Sequence, residues 1–273
     1  MHELDALQTA NLAEIASLNQ RSGRTLSIVD LIADGTLDVS MAAYLLAAVA
    51  DGVSMLTAAG PGGTGKSTLL ANLLSFLPPD EEIISVSGAE IIAAGMSSPQ
   101  RACYVAHEIG DGHWYGYIWG AQVPAFFDLA RHGHRIAAAI HADTLRELAG
   151  RLYGAPLGVS EAQLEAIRLI CFMRMDHTSG GSVRRRVTRV HSQADGAFAP
   201  AYTWNPVTDG FEQGAVEQSL SPLGCDRFRS AQELIRRLVA EEVDGFAACR
   251  AEVLAWYGER VSGPPRGWGH SGR

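Results

Sequence analysis

The most specific chemistry in this chain lies in one run, Gly60-Pro61-Gly62-Gly63-Thr64-Gly65-Lys66-Ser67-Thr68. Gly60 and Gly65 stand five positions apart, and Lys-Ser follows directly. That is the spacing of a phosphate-binding loop. Such a loop aims its backbone N–H groups inward, and side chains would block the approach, hence the glycines. A helix starting at the loop adds partial positive charge at the same place. Lys66 is placed to reach β- and γ-phosphates, and the Ser67 hydroxyl to ligate Mg²⁺. Gly60 through Thr68 are therefore the candidate nucleotide-binding residues, with Ser67 as the metal ligand. Of the 22 lysines and arginines, Lys66 is the only lysine. Arginine's planar fork suits bidentate surface pairs, whereas the loop needs a compact charge on a flexible stem.

Hydrolysis also needs a carboxylate to orient and activate water. Glu108 follows the apolar run Ala102 to Ala106, which places it at the carboxyl end of a strand, where ligands bind in parallel sheets. An ordinary loop glutamate is the plainer reading, and Asp111 is the competing carboxylate. His141 closes another apolar run, Ile136 to Ile140. In a strand beside the loop strand its ring lies near a γ-phosphate, where it can sense or stabilise charge; a structural histidine is the alternative. His107, His113, His132, His134 and His141 invite a zinc reading. Yet His107-Glu108-Ile109-Gly110-Asp111 is not HExxH, and its glycines would break the helix that motif needs.

These residues need elements to hold them. Val53 to Ala59 is short enough for a buried strand, and Ser67 to Leu77 reads as the helix after it, stopped by Pro78-Pro79. Further strands are expected at 82–87, 102–106 and 136–140, with a short helix or turn at 89–94 and helices at 123–131 and 145–152. Strands alternating with helices predict a mainly parallel sheet covered on both faces. Before the loop, an amphipathic helix at 3–19 is broken at Arg21 to Arg24. Ser27 and Asp30 form a capping box ended by Gly35, and Ser40 is placed to cap a helix over 41–51. After Ser160 and Gln163 the pattern changes to an antiparallel meander, 169–175, 183–190 and 198–204, with a turn at 178–181. Pro206 to Gly214 reads as a turn-rich boundary. Helices at 230–243 and 246–257 precede a Gly- and Pro-rich end, Gly263 to Arg273.

The bulk numbers agree. At 273 residues, 47% hydrophobic and 19% charged, the chain has ample material for a core. A formal charge of −8 argues against sequence-independent nucleic-acid binding. The basic run Arg184, Arg185, Arg186, Arg189 reads as the exposed face of a strand. Four unpaired cysteines, no positively charged leader and no apolar run long enough for a span predict a cytoplasmic protein.

With these residues placed, the chain resembles the type II/type IV secretion and pilus ATPase family, most closely its Tad-pilus and conjugation-type members. The likeness is carried by the segment Thr25 to Ala47, the Pro78-Pro79-Asp80-Glu81-Glu82-Ile83 turn and Ala106-His107-Glu108-Ile109. Gly133-His134 with Ala139-Ile140-His141-Ala142-Asp143 and the arginine-rich meander Arg174 to Val190 complete the set. It covers about residues 25–215. It implies a RecA-like α/β P-loop NTPase domain with a mainly parallel sheet, then a small antiparallel meander and a C-terminal helical tail. The corresponding division is 1–24 as N-terminal helix, 25–215 as ATPase domain (antiparallel extension about 168–205) and 216–273 as tail. ATP and Mg²⁺ are the implied ligands, and Glu108 and His141 the implied catalytic residues. Implied partners are further copies in a ring or a paralogous ATPase subunit, and an inner-membrane secretion or pilus platform that would hold the chain at the membrane face.

The departures are specific. The family's acidic pair is replaced by Ser87-Gly88, with Glu90 nearby. Its long arginine-bearing segment is reduced to Glu90–Ala102, holding only Arg101. Gly112 to Gly120 (GHWYGYIWG) is an insertion that reads as core, as a base-stacking platform or as a partner surface. Lost transition-state contacts with a retained Lys66 predict binding with weakened turnover. Three functions follow: a motor ATPase, a weakly hydrolysing regulatory or partner subunit, and a small-metabolite kinase. No arginine-rich lid lies between Glu108 and His141, which counts against the kinase.

Overall fold

The computed structural model describes residues 2–18, 24–60, 62–177, 181–194 and 196–258. The expected break at 21–23, Pro61, most of the 178–181 turn and the segment 263–273 lie outside them.

The chain opens with α1 (His2–Ser17), α2 (Ile28–Ala33) and α3 (Val39–Ala50). Ser27 and Asp30 form the expected capping box. The cap of α3 is Asp38, whose side chain accepts from the Met41 N–H, and not Ser40, which instead hydrogen-bonds the Tyr202 hydroxyl. The α/β part follows: β1 (Ser54–Ala58), α4 (Lys66–Leu74), β2 (Glu82–Ser85), α5 (Ala89–Ser97), β3 (Ala102–Ile109), β4 (Tyr117–Ile118), α6 (Gln122–Arg131), β5 (Arg135–Ile140), α7 (Leu145–Tyr153) and α8 (Glu161–Leu164). Then come β6 (Ile167–His177), β7 (Val183–Ala194), β8 (Ala197–Asn205), β9 (Gly210–Gln213), α9 (Pro222–Ala240) and α10 (Phe246–Gly258).

Among the described residues one sheet holds all nine strands, in the order β2-β3-β5-β1-β6-β7-β8-β9, with β4 beside β3. The pairings from β2 to β6 are parallel, and those from β6 to β9 antiparallel. The meander is thus a continuation of the parallel sheet. The turn-rich boundary contains β9, too short and polar to show as a strand.

The central strands are buried on both faces, which is why they read as unbroken apolar runs. One face packs under α1, α3, α4, α9 and α10, and Ile15, Leu46, Leu70, Leu234 and Trp256 share that core. The other face is covered by α5 to α8, through Phe126, Phe127 and Leu148. Helix α9 begins at Pro222, earlier than expected, because Ser221 caps it and proline is favoured at the first helical position. No described helix is long and apolar enough to cross a membrane.

Two buried arginines tie the frame together. Arg135, 1% exposed, grips Glu81 with both Nε and Nη2 at 2.7 and 2.9 Å, and donates to the Val49 and Val53 carbonyls. Arg250 donates to the Ser75 and Leu77 carbonyls, capping the end of α4; burial pulls its guanidinium down to about 10, opposed by Tyr257 and Glu81.

Candidate functional site

Gly63 and Gly65 take φ of +78° and +99°, the left-handed region that glycine enters without strain. Gly65 is the N-cap of α4 and offers no side chain, so no side-chain cap covers the helix's first-turn N–H groups, the arrangement that suits an anion. Gly62 to Thr68 border a cavity of about 1040 Å³, and Glu108 and His141 border the same cavity. Loop lysine, carboxylate and histidine are therefore brought together as the sequence predicts.

Lys66 is only 6% exposed. Burial lowers its amine from the ordinary value, while the nearby Glu108 and Asp143 charges raise it. Its Nζ lies 3.4 Å from His141 Nδ1.

Strand β5 lies beside β1 with Ala58 opposite Ile140, which carries His141 to the loop. The backbone ladder gives out there, and two side chains extend it. His141 Nδ1 donates to the Gly60 carbonyl at 2.5 Å, and the Gly60 N–H donates to Asp143 Oδ1 at 2.6 Å. The loop's first residue is thus held through both of its peptide groups. A Cβ at Gly60 would sit 2.2 Å from Asp143 Oδ2, so close approach dictates this glycine.

Glu108 lies inside β3 and not just past a strand ending at Ala106. The strand runs on because β4 pairs with it, Tyr117 opposite Glu108. Glu108 Oε1 is 3.1 Å from His141 Nε2. With Nδ1–H already given to Gly60, that contact requires one proton between imidazole and carboxylate.

The other candidates separate. Asp111 borders the cavity. Glu90 does not; its carboxylate folds back over Gly88, and the residue is exposed. Arg101 lies away from the loop. It sits at the opposite end of β3, bonded to the Gly52 carbonyl and 3.9 Å from Glu81.

Of the histidines, His132 meets the Asp128 carbonyl and His134 the Gly95 carbonyl. His107 is buried beneath the aromatic segment, and burial lowers it to about 4. Ser85 gives its proton to Glu14, so it accepts from His107 Nε2 at 3.0 Å. Tyr115 stacks edge-on against the ring. Trp114, Tyr115 and Trp119 are 60%, 49% and 41% exposed, so the core reading fails for them, while Ile118 is buried.

Two contacts at the loop were missed by the sequence reading. One is Asp143. The other is Arg185, whose Nε donates to the Gly63 carbonyl at 3.0 Å from β7. Nor are its neighbours a plain solvated face: Arg186 is bidentate to Asp209 and Arg184 lies over Trp204.

No protein-family model matches the sequence. Among curated proteins, an uncharacterised protein of Methanocaldococcus jannaschii is 25% identical over 208 residues, spanning 67% of this chain and 77% of that one. Two solved structures also match. The VirB11 ATPase of the Brucella suis type IV secretion system, in complex with sulphate, is 16% identical with a TM-score of 0.41, over 54% of this chain and 50% of that one. The Legionella pneumophila ATPase DotB is 16% identical with a TM-score of 0.38, over 68% and 53%. The chain spans about half the length of either structure.

Proposed function

We propose that this chain binds ATP with Mg²⁺ and hydrolyses it slowly, as a motor-type ATPase subunit of a secretion or pilus system. One observation carries the reading: the chain's single lysine is buried at the head of a glycine loop, in one cavity with Glu108 and His141. The loop N–H groups and Lys66 hold the phosphates. Glu108 accepts a proton from the attacking water, and His141 offers Nε2 to a γ-phosphate while Nδ1 stays on the loop.

Ser67 and Asp111 suit Mg²⁺. Among the described residues no set of three or more acidic, His or Cys groups is placed to hold a metal ion. An ion bound with a nucleotide is carried by phosphates and one or two protein ligands. Bound with the nucleotide, Mg²⁺ would neutralise phosphate charge.

Slow turnover is supported by Glu108 being engaged with His141, by Ser87-Gly88 in place of an acidic pair and by the remoteness of Arg101. These also favour the second reading, a regulatory or partner subunit that binds ATP and barely turns it over. Further copies or a paralogous subunit, and a membrane platform, are the proposed partners, with a cytoplasmic location at the membrane face. Calorimetric titration tests the base of both readings. Lys66→Ala should lose most ATP affinity, and Lys66→Arg should do poorly too, because the planar group does not fit the loop. Near-normal binding by Lys66→Ala would refute them.

A further inference from the structure

We propose that Arg185 is a positioning residue for the phosphate loop, acting through its Nε donor and not through its charge. The inference rests on the nucleotide reading above. A trans peptide sends its carbonyl and its N–H in opposite directions. Arg185 Nε holds the Gly63 carbonyl, so the N–H of the same peptide, that of Thr64, is turned away from Arg185, which on the nucleotide reading aims it at the phosphates. The arginine stem continues the contact: its Cδ lies 3.5 Å from where a Cβ on Gly65 would stand, beside Met173 Cε at 3.2 Å.

The base of the side chain is itself fixed. Arg186 bonds the Asp34 carbonyl, the Arg185 carbonyl and Asp209, and the Val187 N–H donates to the Thr36 carbonyl. Strand β7 is thereby fastened at the two residues directly after Arg185, which reaches the loop from a held position. A free loop must order its peptides when phosphate arrives, whereas a tethered one presents them already aimed.

Glutamine separates donor from charge. Its side-chain nitrogen stands the same number of bonds from the backbone as arginine Nε, so Arg185→Gln keeps the donor and removes the cation. Losing one hydrogen bond's worth of preorganisation corresponds to about 3–10-fold in affinity. Arg185→Ala should therefore weaken ATP and ADP alike by that factor, and Arg185→Gln should return both to within about twofold of the parent. In the nucleotide-free protein, hydrogen exchange over Gly62 to Thr68 should quicken in Arg185→Ala and stay parental in Arg185→Gln.

Unchanged affinity and exchange in Arg185→Ala would overturn the proposal. So would Arg185→Gln behaving like Arg185→Ala, or a loss confined to ATP, which would mark a direct γ-phosphate contact. A parent protein that binds neither nucleotide would sink the nucleotide reading instead, and the exchange measurement would still decide the tether.

Discussion

Acid should loosen this protein through His107. The ring is 5% exposed, capped by Gly116 and Tyr115 and donating to Ser85. Burial lowers it from 6.5 to about 4. The folded state therefore binds the proton later than the unfolded chain does. Its stabilising contribution is present above 6.5 and is lost as pH falls toward 4. Taking those two values, the loss between pH 7 and pH 5 is about 2 kcal/mol, and about 3 kcal/mol once pH is below 4. The acidic groups near the ring are Glu14, reached through Ser85, and Glu108 next along the strand. Urea unfolding measured from pH 8 to pH 5, on the parent and on His107→Gln, isolates the effect. The variant keeps a side-chain donor but cannot titrate, so its stability should fall less over this range by about 2 kcal/mol. Comparing slopes removes whatever the substitution costs at neutral pH. Parallel pH dependences in the two proteins would refute the argument.

Glu108→Gln keeps the side chain's size but removes the base. Steady-state ATP turnover should fall by about 10²–10⁴ while calorimetric ATP affinity stays within about threefold; an unaltered rate would move the role to Asp111. Glu81→Gln leaves the Arg135 guanidinium buried without its counter-charge and should destabilise the fold by about 3–5 kcal/mol in urea unfolding. A loss below about 1 kcal/mol would show that the Val49 and Val53 carbonyls suffice.

Lys66, Glu108 and His141 were legible because each sits at a point that sequence marks: a glycine loop or the end of an apolar run. The parallel core was legible for the same reason, since strands buried on both faces leave unbroken Val, Ile and Ala runs. Arg185 was not, because four arginines within six residues look alike until β7's register assigns each a partner. Asp143 lies two residues past His141, yet its role depends on β5 and β1 ending side by side. Arg135 with Glu81 joins positions 54 apart in the chain, and no local pattern announces such a pair. Strand β4 is two residues long, so the true end of β3 stayed hidden. Ser40 lost the capping role to Asp38 because both are good caps, and tertiary contact with Tyr202 claimed the serine.

The burial of Lys66 gives the protein an unusual reagent profile. Acylating probes and lysine-directed cross-linkers find one lysine amine in the entire sequence, and folding puts it under the phosphate loop. The free-base form of that amine, the reactive one, is made more available by burial, but access is restricted. The rate of its modification thus reads out how open the loop is, without any introduced label. By the same token, an acetyl group transferred to lysine in this chain has one place to land, and there it would remove the positive charge that a nucleotide's phosphates need.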